Sequence, residues 1–453
     1  MQDLTQGSIT QHLIRLAVPI AVGMLFQTLY FLIDLYFVSR IGDAAIAGVG
    51  AAGNLTFIVM ALTQMLGVGT VALIAQAVGR KDLADANLVF NQSLVLAAVC
   101  ALLTLVVGYA GVGPYMQALG ADVATRDAGV DYLLWYLPGL ALQFAIVAMG
   151  SALRGTGIAK PTMLVQMITV VLNAILAPVL IAGWGSGHPL GVAGAGLATT
   201  ISLALGTLVL ALYFVKLETT VAFNKSQLAP QFETWNRILR IGLPAGGEFA
   251  LMFVYMAVIY TLIRDFGAGA QAGFGVGSRV MQAIFLPAMA LAFATSPVAG
   301  QNVGAGLFDR VRATVRSAIG IGSVIMLALT LLCQVKADWF VRAFTQDAAV
   351  IAVAVEFLHY ISWNFVAQGI VFTCSGMFQA LGNTVPSLLS SASRLLTFAL
   401  PSIWLSRQPG FELHHVWLVS MASVALQAVL SLLLLRGQFR RRLQPTVAAT
   451  APA

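Results

Sequence analysis

The sequence predicts an all-α polytopic membrane protein, with twelve transmembrane helices in two parallel six-helix repeats around a central cleft. The first observation is composition: of 453 residues, 59% are hydrophobic and 9% are charged, against about 25% charged in soluble domains. A soluble fold would need a polar surface that this chain lacks, whereas lipid allows apolar side chains to face outward. The second observation is a series of apolar stretches from end to end, and the third is that the two halves repeat.

Each apolar stretch has about 20 residues or more, which is enough to cross roughly 30 Å of hydrocarbon as a helix. The predicted spans lie near residues 12–39, 46–77, 88–112, 130–153, 160–183, 190–215, 236–263, 272–301, 313–335, 354–379, 384–406 and 413–436. The segment 216–233 is the longest without a strong apolar pattern. The chain is therefore predicted to contain an N-lobe (1–215), a cytoplasmic linker (216–233) and a C-lobe with a basic cytoplasmic tail (234–453).

The two halves repeat with an offset of 225 positions in one ungapped register. Pro19 matches Pro244, and Gly157 matches Gly382. The first and last residues of segment 76–79, a glutamine and a glycine, recur as the first and last residues of segment 301–304. Six helices are an even number, so both halves enter the membrane from the same side and the repeats are parallel. Two such lobes leave a cleft between them, and a cleft that opens alternately to each side is the geometry of alternating access.

Basic residues set the orientation and exclude other functions. Of the 24 Lys and Arg residues, 16 fall in segments assigned to the inner side and 6 in outer loops, which predicts that both termini are cytoplasmic. The net charge of +7 does not indicate a nucleic-acid partner, because the basic residues lie between apolar stretches and form no single basic face. The three cysteines form no CxxC pair, so neither a metal site nor a disulfide framework is expected. No Walker A motif or other enzyme signature is present.

Two acidic residues lie well inside apolar stretches, Asp34 in the first span and Glu248 in the seventh. An ionisable group there costs roughly 2.5–3.5 kcal/mol on insertion scales, so each needs a reason. Gln27 and Tyr30 share a helical face with Asp34, and a carboxyl in such a setting can bind and release a proton. The alternatives are a structural hydrogen-bond node at Asp34 and a solvated position near the inner surface for Glu248. In the repeat, neither acid matches another acid, which indicates that the lobes divide their tasks.

A polar stripe runs along the fifth span, where Gln166, Thr169 and Asn173 are three and four residues apart. This spacing places the three side chains on one helical face. They form either a partner network for Asp34 or polar contacts that join packed helices.

The second half holds three further polar candidates. Arg394 in the eleventh span is a candidate contact for substrate or coupling ion, although such an arginine more often extends to the interface or bonds to carbonyls. Asn364 and Gln368 in the tenth span are four residues apart and are candidates to line the cleft.

Taken together, the motifs make the chain resemble a multidrug and toxic-compound extrusion (MATE) transporter from about Gly7 to Arg442. The motifs that carry the resemblance are Arg15-Leu16-Ala17-Val18-Pro19, Ile33-Asp34, Val38-Ser39-Arg40-Ile41-Gly42, Ala75-Gln76-Ala77-Val78-Gly79, Leu153-Arg154-Gly155-Thr156-Gly157 with Pro161, Gly242-Leu243-Pro244, Gln301-Asn302-Val303-Gly304 and Ala380-Leu381-Gly382-Asn383 with Pro386. The resemblance implies cation-coupled export of organic, often cationic and aromatic, compounds.

The resemblance also implies roles for individual residues. Asp34 matches the carboxylate of the first helix that takes part in coupling, and Asn173 matches a polar network position. Glu248 lies about one turn from the acid that some members carry in the seventh helix, and Gln368 is an amide near an acidic position of the tenth. This departure favours protons over sodium ions as the coupling cation.

We therefore expect a secondary-active antiporter in a bacterial inner membrane, not an enzyme, driven by a transmembrane H⁺ gradient (Na⁺ as second choice) and without a cofactor. Its partners would be small organic substrates, the coupling cation and the bilayer, and the protein would be a monomer. The alternative is a lipid-linked oligosaccharide flippase of a related fold group. A flippase of that kind would favour a strongly cationic cleft, whereas Arg279 and Arg394 are the two candidate cleft arginines here.

Overall fold

The computed structural model describes residues 2–120, 122–218 and 220–443, with the side chain of Phe31 excepted. Within this described part all regular secondary structure is helical, and twelve helices are long and apolar enough to cross a membrane. The predicted fold class is thereby confirmed. Residues 444–453, the end of the predicted basic tail, lie outside the described residues.

The helices follow in two series. The first series, which we call the N-lobe, consists of α1 (Ile9–Ser39), α2 (Asp43–Gly79), α3 (Leu83–Leu119), α4 (Val123–Gly155), α5 (Lys160–Ala182) and α6 (Gly191–Lys216). The second, the C-lobe, consists of α7 (Phe232–Ile263), α8 (Ala268–Gly304), α9 (Phe308–Arg342), α10 (Ala348–Ile361), α11 (Phe365–Ala380), α12 (Val385–Leu405) and α13 (Leu413–Arg442). A 3₁₀ turn, Ser362–Asn364, joins α10 to α11, and together they make the tenth span.

Several helices extend beyond the apolar windows that predicted them. The span predicted near 88–112 is the helix Leu83–Leu119, and the one near 130–153 is Val123–Gly155. Side-chain caps fix these starts outside the apolar core: Asp82 accepts a bond from the backbone of Asp85, and Asp122 accepts one from the backbone of Thr125. Hydropathy detects the part of a helix that lies in hydrocarbon, so it misses polar ends of this kind.

The repeat is visible in the helix boundaries. Asp43–Gly79 and Ala268–Gly304 are 225 positions apart at both ends, and so are Val123–Gly155 and the tenth span, Ala348–Ala380. Packing repeats as well, because α4 lies between α2 and α6 just as α11 lies between α8 and α13. One register therefore relates positions in the two lobes throughout the bundle.

The lobes meet through α1 against α8 and α2 against α7 and α8, closest at the end that carries residues 2–8. There, Gln76 Nε2 donates to the Ala380 carbonyl (2.8 Å) and Gln301 Nε2 donates to the Gly155 carbonyl (3.0 Å). A Cβ atom at Gly79 would overlap the Gln301 carbonyl, so these backbones are in direct contact.

Towards the opposite end the contacts between lobes become fewer. The rings of Phe57 and Phe253 lie 4.4 Å apart near the middle of α2 and α7. Beyond them, the described residues form no hydrogen bond between the lobes. Gly50 and Gly53 in the first half of α2 have open space beside them, with nothing within 4 Å of an added Cβ. The lobes thus enclose a cleft that is closed at the end carrying residues 2–8.

The predicted linker lies along the N-lobe. It contains a 3₁₀ turn, Lys225–Gln227, and is held by amide side chains at the start of α3. Asn91 bonds to the backbone of Ala222 (3.0 Å) and Asn224 (2.9 Å), and Gln92 accepts from the backbone of Gln231 (2.9 Å). Most of the linker is therefore attached to α3.

Candidate coupling and substrate sites

The carboxyl of Asp34 lies inside the N-lobe, where α1, α5 and α6 meet. Its side chain is buried, with the whole residue 9% exposed. Asn173 Nδ2 donates to Asp34 Oδ1 (3.0 Å), and Thr199 Oγ1 donates to Oδ2 (3.1 Å). Both partners are uncharged, and none of the ion pairs of the described residues involves Asp34. The site is thus a buried carboxyl held by neutral donors.

Three tyrosines complete this site. Tyr30 lies one turn before Asp34 on α1, and its buried hydroxyl has no partner among the described residues. Tyr132 and Tyr136 on α4 have rings 4.8 Å apart, and α4 packs against α6, the helix that carries Thr199. The Tyr136 hydroxyl is 3.1 Å from Thr56 Oγ1 on α2, the helix that contacts the C-lobe. A hydrogen-bonded contact therefore joins a tyrosine near the carboxyl to a helix at the boundary between lobes.

Glycines on α6 explain why these helices converge. A Cβ at Gly196 would come within 2.5 Å of the Tyr132 carbonyl on α4, and one at Gly206 within 2.5 Å of the Thr169 methyl on α5. Larger residues would push α6 away from both neighbours. Small residues at these positions thus bring Thr199 within hydrogen-bond distance of Asp34.

Other residues predicted for this site do not join it. Gln27 is exposed and makes no hydrogen bond within the described residues, so it does not bond to the Asp34 carboxyl, and its place in the cleft stays a prediction. Thr169 donates to the Gln166 carbonyl in its own helix (2.8 Å) and presents its methyl to α6. Gln166 fills the space beside Gly23, where a Cβ would overlap its amide oxygen. Of the predicted stripe on α5, Asn173 contacts the carboxyl while the other two serve helix packing.

Glu248 lies inside the C-lobe, between α7, α11 and α12. Its Oε2 accepts from Ser387 Oγ (2.6 Å) and Ser375 Oγ (3.1 Å). These hydroxyls are 3.0 Å apart and form a closed cluster with the carboxyl. The alternative that Glu248 is simply solvated near the inner surface is therefore wrong. The N-lobe residue that corresponds to Glu248 is Gly23, and the Gln166 amide fills the space beside it. An amide of the N-lobe therefore occupies the place that the Glu248 carboxyl takes in the C-lobe.

The remaining candidates form a second polar centre in the C-lobe. Arg394 donates from a guanidinium NH group to Gln368 Oε1 (3.1 Å), and its guanidinium carbon lies 4.3 Å from the centre of the Tyr255 ring. Tyr255 OH is 2.7 Å from Ser420 Oγ. Arg394 Nε is buried, so this side chain does not extend to the membrane interface.

Asn364, in the 3₁₀ turn, lines the same pocket as Arg394 and Gln368. These three residues therefore lie in a pocket within the C-lobe. That Asn364 and Gln368 line the cleft between the lobes stays a prediction. The rest of the lining is largely aromatic or thioether: Met256, Phe274, Met281, Phe285 and Phe357.

Sequence reasoning missed the hydroxyl partners of both acids, Thr199, Ser375 and Ser387. Hydroxyl residues are common in membrane helices and usually bond to a carbonyl one turn earlier in their own helix. Thr199 does this too, with Ala195 (3.1 Å), in addition to its bond to Asp34. The sequence alone held no signal that separates Thr199 from such residues.

Comparison with known proteins gives a consistent result. The sequence model of the MatE family matches residues 19–179 and 244–405, one segment in each half. The probable multidrug resistance protein YoeA of Bacillus subtilis is 26% identical over 447 residues, which cover 97% of this chain and 95% of that protein. The FAD transporter of Shewanella oneidensis is 23% identical and covers 88% of each chain.

Solved structures agree. A MATE family multidrug resistance transporter of the MOP superfamily, solved in an outward-facing conformation, has a TM-score of 0.91, 26% identity and 98% coverage of both chains. A MOP superfamily transporter from Pyrococcus furiosus gives the same values, and its binding pocket is described as reversed in polarity. These relatives do not favour the flippase alternative. The paired matches in the two halves, the twelve helices and the shared fold show that the chain belongs to the MatE family and is a multi-pass membrane transporter, not an enzyme.

Proposed function

We propose that this protein exports small organic compounds from the bacterial cytoplasm across the inner membrane in exchange for protons, by alternating access. The observation that carries the proposal is the Asp34 carboxyl, buried and held by the neutral donors Asn173 and Thr199. Multidrug export is supported by relatives such as the multidrug export protein MepA of Staphylococcus haemolyticus, 26% identical over 386 residues. Both termini would lie in the cytoplasm, as the Lys and Arg distribution predicts.

Proton binding would rearrange the Asp34 hydrogen bonds. A carboxylate accepts both bonds that Asn173 and Thr199 donate, but a protonated carboxyl must also donate one. Among the residues that neighbour Asp34 in the described structure, two buried oxygens lack a partner, Asn173 Oδ1 and Tyr30 OH. Rotation of the Asn173 amide would present its oxygen to the protonated carboxyl. A proton on Asp34 therefore favours a different arrangement of α1 and α5 side chains.

The change in hydrogen bonds around Asp34 must alter how the two lobes are arranged if it is to drive export. We propose that the N-lobe, with most of the linker attached to it, and the C-lobe move as two rigid bodies. A proton biases two arrangements only if the carboxyl environment differs between them. A difference of one pKa unit between arrangements would supply about 1.4 kcal/mol. The Tyr136–Thr56 contact is one connection from the site to the boundary between lobes.

Sodium is the second candidate ion. Hard cations take oxygen ligands, and Asp34, Thr199 and the unpartnered oxygens of Asn173 and Tyr30 offer several. Protons remain the first candidate because Asn173 presents its nitrogen to the carboxyl, and a nitrogen donor cannot face a bound cation. Asparagine orientation follows from the hydrogen-bond network, so measuring coupling separately with each ion decides the matter.

The test is transport in reconstituted vesicles carrying a pH gradient or a sodium gradient, with a fluorescent organic cation as substrate. The wild type should export with the pH gradient. Asp34→Asn keeps the size and removes the titration, so it should insert and fold but lose proton flux driven by substrate. Glu248→Gln is the matched variant in the other lobe. Full coupled transport by Asp34→Asn would refute the coupling role of Asp34. Export that only a sodium gradient drives would identify sodium, and not the proton, as the coupling ion.

A further inference from the structure

A groove with a volume of about 660 Å³ lies between α8 and α9 of the C-lobe. One of its walls is a single face of α8, with residues at three- and four-residue spacing: Val280, Ile284 and Pro287. The other wall combines Leu329, in the straight part of α9, with the rings of Trp339, Phe340 and Phe344 at its end. Between these two parts α9 bends at Lys336, whose backbone leaves the helical conformation (φ −133°, ψ 30°). The bend thus helps to enclose what we call the α8–α9 groove.

The charges along α9 place this groove in the membrane. α9 begins at the closed end of the bundle, where Arg310 donates to the Gly7 carbonyl (3.1 Å). No charged residue lies between Arg316 and Lys336. At 1.5 Å per residue this interval is about 30 Å long, which is the thickness of the hydrocarbon core. Lys336 therefore lies at the level of the lipid headgroups at the open end, and Leu329 lies about 10 Å inside the hydrocarbon.

The two ends of the groove differ in chemistry. Arg342 lines it beyond Lys336, at headgroup level, and its side chain is 58% exposed. Trp339 at the same level is an aromatic residue of the kind that anchors at the membrane interface. Every other residue that lines the groove is apolar. A basic and aromatic end at headgroup level, continuous with an apolar interior, matches the two parts of a phospholipid molecule.

The headgroup end of the groove carries a net positive charge. The Arg342 guanidinium makes no hydrogen bond within the described residues, and its Nε lies 3.6 Å from the Asp338 carboxylate. Lys336 and Arg279 are exposed, and neither belongs to an ion pair of the described chain. Arg279 is one turn from Ala283, a residue of the groove. Three cations against one carboxylate favour an anionic headgroup.

We propose that the α8–α9 groove binds one phospholipid with an anionic headgroup, with its phosphate at Arg342 and an acyl chain along the apolar walls. The occupant comes from the bilayer, because the adjoining face of α9 is built to contact lipid. Four apolar residues at helical spacing are 50–73% exposed on that face: Val324, Leu327, Leu331 and Val335. Lipid binding of this kind does not rest on the proposed export function.

The competing occupant of the groove is the half of α1 nearer the open end. Leu13 of α1 and Leu291 of α8 share one buried cluster near the closed end, and Leu291 lies one turn beyond the groove wall. Closure of the lobes at the open end would therefore bring exposed residues of α1, such as Leu32, towards the groove. α1 is followed directly by Arg40, a further cation. The positive charge beside the groove thus favours an anionic lipid over α1.

The experiment is native mass spectrometry of the purified full-length protein in detergent, titrated with dioleoyl phosphatidylglycerol, dioleoyl phosphatidylethanolamine or glycerol 3-phosphate. The wild type should bind the anionic lipid at least about fivefold more tightly than the zwitterionic one. It should not bind glycerol 3-phosphate, which carries the phosphate without acyl chains.

Charge variants test the headgroup end of the groove. Arg342→Gln should abolish the preference for the anionic lipid. Asp338→Asn, which removes the competing carboxylate, should increase the preference about fivefold. Arg407→Gln is the matched control and should behave as wild type, because Arg407 is an exposed arginine that follows α12 at the same end of the bundle and does not line the groove.

A larger side chain tests the apolar part. Ala283→Trp places an indole in the groove and should weaken binding of both lipids. Ala272→Trp, at an exposed position of α8 outside the groove, should leave both affinities unchanged. Thermal unfolding of each variant in the same detergent shows whether lost binding reflects lost folding.

Equal affinities of the wild type for the two lipids would overturn the proposal, as would a preserved preference in Arg342→Gln or its loss in Arg407→Gln. Binding of glycerol 3-phosphate as tight as that of the lipid would assign the site to free phosphate and also overturn it. Cysteines placed at Leu32 and Ala283 should form a disulfide more slowly when the anionic lipid is added. An unchanged rate would assign the groove to α1. Because these measurements use no gradient, failure of coupled export leaves them intact.

Discussion

Replacing Gly79 by alanine should open the lobe contact at the end that carries residues 2–8. An added Cβ would overlap the Gln301 backbone carbonyl, whose carbon would be 2.8 Å away and whose oxygen would be nearer still. Real Cβ contacts are essentially never under 3.0 Å, so α2 and α8 would have to separate by about 1 Å. A backbone carbonyl cannot rotate away as a side chain can. Overpacking of this kind costs about 1–3 kcal/mol.

Because the strain exists only while the lobes are closed at this end, it should shift the population between arrangements about 5- to 150-fold. The assay is the distance distribution between spin labels placed on the two lobes at that end. Gly79→Ala should shift the distribution to longer distances, and Gly304→Ala should do the same because its Cβ would overlap the Gln76 carbonyl. Gly53→Ala in α2, where the space is open, is the control. Identical distributions for Gly79→Ala and Gly53→Ala would refute the packing argument.

Three further outcomes follow from the contacts described. Thr199→Val removes a hydrogen-bond donor to Asp34 and keeps the side-chain shape, so it should lower substrate-driven proton flux about tenfold. Thr207→Val in the same helix is the control and should leave the flux unchanged, because the Thr207 hydroxyl bonds to Leu203 of its own helix. Ser387→Ala removes the shorter of the two hydrogen bonds to Glu248 and should lower the free energy of unfolding by about 1–3 kcal/mol. The measurement is a lowered midpoint of thermal unfolding in detergent, and an unchanged midpoint would count against a structural role for this bond. Asn91→Ala should speed hydrogen exchange of backbone amides in residues 220–231, and unchanged exchange would show that the linker does not depend on α3.

The sequence predicted the fold class because length and hydropathy of a membrane helix are set by the bilayer. The repeat was predictable for a related reason: glycines such as Gly79 and Gly304 mark backbone contacts that both lobes share. Helix ends were less accurate. Asp122 caps α4 well before the apolar window begins, and an apolar window contains no information about such a cap.

The candidate sites were predictable only in part. A lone acid in an apolar stretch is conspicuous, so Asp34 and Glu248 stood out, but which polar neighbour bonds to them depends on how the helices pack. Gln27 shares a face with Asp34 on an ideal helix yet is exposed. Thr199, on a different helix 165 positions away, donates the bond. Contacts between helices are set by packing details such as the small residues of α6, which periodicity does not show.

The two lobes remain equivalent where they pack against each other and have diverged in the polar groups of their interiors. At the closed end, Asp85 bonds to Arg237 across the lobes with both oxygens at 2.8 Å, and the corresponding residue of the C-lobe, Arg310, bonds across to the backbone of Gly7 (3.1 Å). Equivalent contacts must break together if two rigid lobes part, so selection on this motion constrains both halves alike. The interior of each lobe is under no such constraint. The N-lobe accordingly holds the Asp34 carboxyl where the C-lobe has Ile259, and the C-lobe holds the Arg394 guanidinium where the N-lobe has Thr169.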